Sequence, residues 1–217
     1  NMKRLSLVLA LMTSTILFAQ NDFEGVIEFE MKYENLADQM KPMESMLPKE
    51  TTIEIKEGVS KTVTPNAMGG ETVILNDAES GEMITLVNMM GSKYAIKSNT
   101  KESKEESKPE IELVDETKEI LGYTCKKAIV SDKEGNETEI FYSEELNGIK
   151  FSGNVEGING FPMQTIVSQE MFTLIQTVSK IEKKKVKKIG EELTQKRAFP
   201  TQTNAHYCSY YIFYPRT

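Results

Sequence analysis

The stretch EGVIEFEMKYE, Glu24 to Glu34, decides the fold. Ile27, Phe29, Met31 and Tyr33 alternate with Glu28, Glu30, Lys32 and Glu34. Side chains that change face at every residue belong to an extended strand, so the pattern predicts a strand with one buried and one wet face. The next segment, ETTIEIKEG (50–58), repeats the alternation with Ile53 and Ile55, and SKTVT (60–64) continues it after Gly58. ETVILND (71–77) and GEMITLVN (81–88) are two more apolar runs joined by the turn-like DAESG, and SKYAIK (92–97) puts Tyr94 and Ile96 on a common face.

Farther along, SNTKESKEESKPE (98–110) lacks apolar residues and reads as a solvated loop closed by Pro109. A second series begins with EIELVDETKEILG (110–122). It passes through YTCKKAIVSD to ETEIFYSEEL, a hairpin with Gly135 and Asn136 in the turn, and closes with FPMQTIVSQ (161–169) and FTLIQTVSKIEKKKV (172–186). These runs are rich in the Thr, Val and Ile that strands favour. Nine or ten strands on short connections point to an antiparallel sheet.

One helical segment interrupts the pattern. In NLADQMKPMESMLP (35–48), Asn35 can cap a helix that places Leu36, Met40, Met43 and Leu47 on one side. Pro42 would break it, so two short helical turns are an equal expectation. A weaker helix is expected from Lys187 through GEELTQ. The fold class is therefore mainly β with minor α: a curved antiparallel sheet or incomplete barrel under a helical lid. An apolar sheet face must be covered, and a barrel, a sandwich or a sheet curved around its helices can each leave an apolar cavity.

The ends carry signals of their own. Lys3 and Arg4 precede an apolar run from Leu5 to about Ala19, as in a secretory signal peptide over residues 1–20. Export to the periplasm is expected, with no transmembrane segment in the mature chain. No cysteine follows the apolar run, so a lipoprotein is not expected. One domain is expected over 21–190. Beyond it, residues 191–217 turn aromatic and lose their acidic character, as a shifted reading frame would produce; a docking tail is the other reading. The net charge of −7, with one His and no Trp, speaks against nucleic-acid binding.

Residues with chemistry to offer are few. Cys125 reads as a small buried core residue, with a disulfide to Cys208 as the alternative. His206 stands alone, so no metal site, cofactor or catalytic residue is assigned, and a non-enzymatic protein is expected. Methionine is the suggestive excess. It packs irregular cores, lines adaptable apolar cavities and can capture Cu(I), for which MKPMESM (40–46) has plausible spacing. KIEKKKVKK (180–188) reads as a solvated strand end, with contact to an anionic membrane surface as the sharper alternative.

Two stretches resemble a known family. ETKEILGYTCKKAIVSDKEGNETEIFYSEEL and INGFPMQTIV are similar to segments of exported proteins of the domain-of-unknown-function 4412 family and the related GLPGLI proteins, over about residues 22 to 188. That family looks distantly similar to the lipoprotein carrier LolA. The resemblance implies a curved, incomplete barrel whose concave face holds an acyl chain or another apolar segment. The expected function is non-enzymatic binding of a lipid, acyl chain or acylated or hydrophobic peptide in the cell envelope, with transient contact to envelope membrane or proteins. Ile27, Phe29, Met31, Tyr33, Met40, Met43, Leu86 and Ile96 are the candidate cavity residues. A structural or interaction protein with a self-filled core is the alternative, and Cu(I) binding a weaker one.

Overall fold

A computed structural model describes residues 23–67, 69–89, 92–100, 109–151, 153–189 and 201–202. The signal-like segment, Cys208 and His206 lie outside the described residues, as does the helix expected from Lys187 beyond Ile189; Lys187 to Ile189 themselves are not helical. The first six strands are β1 (Gly25–Glu34), β2 (Glu50–Lys56), β3 (Val59–Pro65), β4 (Glu71–Asp77), β5 (Glu82–Met89) and β6 (Ser92–Asn99). The rest are β7 (Glu110–Ile120), β8 (Tyr123–Ser131), β9 (Glu137–Ser143), β10 (Phe161–Ser168), β11 (Thr173–Lys183) and the two-residue β12 (Thr201–Gln202).

All belong to one open, curved sheet in the order β12-β6-β5-β4-β3-β2-β1-β11-β10-β9-β8-β7. The chain builds it as two antiparallel meanders, β1 to β6 and β7 to β11. The seam between them is the β1–β11 pair, in register from Gly25 opposite Lys183 to Glu34 opposite Thr173 with one bulge after Glu28. Only β12 runs parallel to its neighbour, β6. The expected architecture, a mainly β, antiparallel, curved sheet with a small lid, is the one observed.

Tight turns set the register of both meanders. Glu57 and Gly58 take φ of 51° and 76°, and Leu121 and Gly122 take 52° and 82°. Two consecutive left-handed residues are the signature of a two-residue hairpin whose twist matches its strands. SKTVT therefore does not prolong the preceding strand. It folds back on it as β3, with Ile55 opposite Ser60. In the β8–β9 turn, Asp132 accepts bonds from the backbone of Glu134 and Asn136 and from the Asn136 side chain, which fixes Gly135 at φ 83°.

The expected helix over 35–48 is reduced to a 3-10 helix, Lys41–Met46. Pro42 sits in its first turn, where the missing N–H costs nothing, but no side chain caps its start. Asn35 does not cap it either. It adopts φ 52° and donates from Nδ2 to Thr173 Oγ1 at 3.3 Å, which turns the chain off the end of β1.

The main core lies on one face of the sheet's centre. Phe23, Ile27, Phe29, Ile53, Ile55, Cys125, Phe141, Phe161, Met163 and Val178 are buried together there. The β9–β10 connection covers part of it with Ile149 and Phe151, and the Phe151 and Phe161 rings lie 5.3 Å apart. The same connection also reaches the opposite face, where Val155 and Ile158 pack on Ala128, Ile140 and Tyr142.

Candidate ligand-binding site

The alternating face of β1 divides between two clusters. Ile27 and Phe29 belong to the central core, fully enclosed, with Phe29 6.4 Å from Phe161. Met31 and Tyr33, two and four residues on, leave that core and join a smaller cluster with Met40, Phe172 and Leu174. Tyr33 meets Phe172 edge-on at 5.7 Å, and Leu36, Leu47 and Met171 complete the cluster. Burial pushes the Tyr33 hydroxyl pKa up.

Segment 35–49 is the lid of this second cluster. Its two roots are tied by backbone bonds, Ala37 N to Met171 O and Met31 N to Lys49 O, each 2.8 Å. Between the roots, Met40 and the half-buried Leu36 and Leu47 supply the apolar contacts. Met43 faces away and is 46 % exposed; Met46 is similarly exposed. Five of the eight expected cavity residues are thus buried or half-buried on the β1 face, but they fall into two separate clusters. The lid methionines divide by exposure, Met40 inside and Met43 and Met46 outside.

Leu86 and Ile96 part company. Direct cross-strand partners share a face, and the register runs Glu28, Thr52, Val63, Val73, Leu86 from β1 to β5. Leu86 therefore sits on the charged face of β1, opposite to Ile27 and Phe29. Ile96 is in the row of Ile27 through Ile53, Thr62, Ile74 and Thr85, yet it lies four strands beyond β2 and is 43 % exposed. The β5 sequence is apolar in both phases, so alternation could not assign its faces.

The register also reveals a panel that the sequence pattern concealed. On the Ile27 face, β3 to β5 carry Ser60, Thr62, Thr64, then Thr72, Ile74, Asn76, then Met83, Thr85, Val87, with no charge among them. Ser60 and Asn76 oppose each other and are buried, and neither Ser60 Oγ nor Asn76 Oδ1 has a hydrogen-bond partner among the described residues. Thr51 Oγ1 instead bonds the Val63 carbonyl at 3.0 Å and lies 2.7 Å from Thr64 Oγ1.

Cys125 is a free thiol, buried, with Sγ 3.5 Å from the Tyr123 carbonyl. Burial raises its pKa above the ordinary thiol range, which favours the unreactive protonated form. The lysine opposite it is Lys118 of β7, not one of its sequence neighbours. That ammonium donates to Gln164 Oε1 at 2.8 Å and stands 5.3 Å from the Phe141 ring centre. Among the described residues no group of three or more His, Cys, Asp or Glu is placed to hold a metal ion. No helix among them is long and apolar enough to cross a membrane.

The family model described as "N-glycanase peptide, N-terminal domain" matches residues 40–205. No curated protein sequence matches the chain. The structure of PNGF-II in its C2 crystal form aligns at TM-score 0.50 and 17 % identity over 84 % of this chain, and its P21 form at 0.50 and 16 %. The chain spans only 31 % and 32 % of those two chains. A putative outer membrane lipoprotein-sorting protein domain from Vibrio parahaemolyticus aligns at TM-score 0.35 and 10 % identity, over 80 % of this chain and 90 % of that one. The matching family is not the domain-of-unknown-function 4412 family that the Gly122–Lys127 strand resembles.

Proposed function

This chain belongs to the N-glycanase peptide, N-terminal domain family, and we propose that it is a non-catalytic binding module that accepts an apolar segment, an acyl chain or a hydrophobic stretch of polypeptide, under the lid at the end of β1. One observation carries the reading: Met31, Tyr33, Met40, Phe172 and Leu174 form an apolar cluster distinct from the main core, closed by a single uncapped 3-10 helix. Aromatic and thioether side chains adapt to apolar partners without directed bonds, and a short uncapped cover is an inexpensive element to displace. Ile27 and Phe29 support the site from below and do not line it.

The setting is proposed from the N-terminal leader. Lys3, Arg4 and the apolar run from Leu5 support export to the periplasm. The family's name, that of an N-terminal domain of an N-glycanase, supports a role beside an N-glycanase activity housed elsewhere, and the apolar segment then belongs to the protein that activity acts on. A second reading has its own observation. Ile27, Phe161 and Met163 are wholly buried, with Ile149 and Phe151 packed over the same core, which suits an interaction scaffold whose face is filled by its own side chains.

Native mass spectrometry of the gently purified protein decides between them. A stoichiometric apolar adduct that disappears in Met40→Glu, while the variant keeps the wild-type circular dichroism spectrum, supports the lid site. A bare monomer that stays empty after exposure to membrane extract and to a hydrophobic peptide removes that reading and leaves the scaffold.

A further inference from the structure

Among the described residues the β7 edge of the sheet is open. Among the described residues β7 pairs with β8 alone, and most of its eleven residues are exposed, including Leu113 at 65 %, the most exposed large apolar side chain described. Its first five residues, Glu110 to Val114, stay in regular register with Ser131 to Lys127 before a bulge at Asp115 and Glu116. In that straight run Ile111 and Leu113 face the side of Ala128 and Val130, while Glu110 and Glu112 face the other. Glu116 is drawn to Lys127 at 3.0 Å, but Glu110, Glu112, Asp115 and Glu119 make no ion pair among the described residues.

We propose that the Glu110–Val114 edge is a docking strand for an extended segment of another protein in which basic and apolar residues alternate. An added strand would take up the outward backbone groups of β7. Side chains directly opposite one another share a face, so every second residue of the incoming segment meets Glu110 or Glu112, and the intervening ones meet Ile111 and Leu113. Lysine or arginine at the first set and valine, isoleucine or leucine at the second satisfy both faces at once. The bulge sets the length of the contact, because it bends the edge and ends the regular run. A blunted edge that merely avoids pairing needs charges and a bulge, but it does not need an exposed leucine, Leu113, directly after the alternating Glu110, Ile111 and Glu112.

The test uses the full chain and a fluorescent peptide of alternating lysine and valine, with a block-ordered peptide of the same composition as control. Binding is expected for the alternating peptide only, with slowed hydrogen exchange confined to β7. Glu110→Lys with Glu112→Lys should weaken binding about tenfold, as should Leu113→Arg, each on a protein with unchanged circular dichroism. Equal binding of both peptides, or binding without protection of β7, would reduce the interaction to general attraction by an acidic protein and overturn the proposal. So would the absence of binding at low salt.

Discussion

At Cys125 the side chain has no room for solvent, and its Sγ lies 3.5 Å from the Tyr123 carbonyl. Cys125→Ala should therefore cost less than Cys125→Ser, which introduces a hydroxyl into an apolar site and is expected to lose about 1–3 kcal/mol. Urea unfolding of the two variants gives the comparison; a more stable serine variant would contradict the packing described. The native thiol should resist a thiol reagent until the protein is unfolded. Ser60 is the opposite case. Its buried Oγ lacks a partner among the described residues, so Ser60→Ala should leave stability unchanged or raise it, and a clear loss would mean that the hydroxyl is bonded after all.

The lid and the chain leaving β11 are the elements whose energetics can be isolated. Met40→Ala removes the buried lid anchor and should cost about 2 kcal/mol, near the low end for a buried methionine because the cluster is small. Met43→Ala, on the outer side of the same 3-10 helix, should stay within about 0.5 kcal/mol. Equal costs in denaturant titrations would contradict this orientation of the lid. Beyond β11, Glu24 Oε1 accepts the Val186 backbone N–H at 2.7 Å and pairs with Lys56 at 3.1 Å. The Val186 bond first, then the Lys56 bond, holds the Glu24 carboxyl below its ordinary pKa of 4.5. A lowered carboxylate pKa stabilises above the unfolded value and ceases to do so as pH falls through the folded one. Hydrogen exchange at Val186 should therefore accelerate as pH drops below 4.5, relative to distant amides, and Glu24→Gln should abolish that extra acid dependence.

Across the whole molecule, stability depends on the seam where β1 meets β11, since it is the strand pairing that joins the two meanders. Phe161 lies beneath that seam, fully buried against Phe29 and Phe151. Phe161→Ala should lower global stability by about 3–5 kcal/mol. Phe29→Glu would bury an unpaired charge in the same core, so it should unfold the protein and not merely abolish ligand uptake. Glu28→Lys breaks only an exposed pair with Lys180 and should cost less than about 1 kcal/mol. Thermal unfolding of the three variants tests the order, which fails if Phe29→Glu melts with the wild type.

The sequence by itself determined most of the strands and the turn at Gly135. Both are local: Ile27 to Tyr33 alternate because successive residues of a strand face opposite ways, and Gly135 marks a reversal because it takes a left-handed φ; at Gly58, where the alternation reads straight on, only the pairing of β3 with β2 decided the reversal. It also marked Cys125 as packing and set Ile27 and Phe29 on the apolar face of their strand. Only the tertiary structure decided which expected cavity residues meet. Leu86 went to the other face because register is set between strands, and a shift by one residue reverses every side chain. Met31 separated from Phe29 because the lid, not the central core, covers the far end of β1. The uncharged panel and the lysine opposite Cys125 were hidden for the same reason: Ser60 and Asn76, like Lys118 and Cys125, become neighbours only when distant parts of the chain pair.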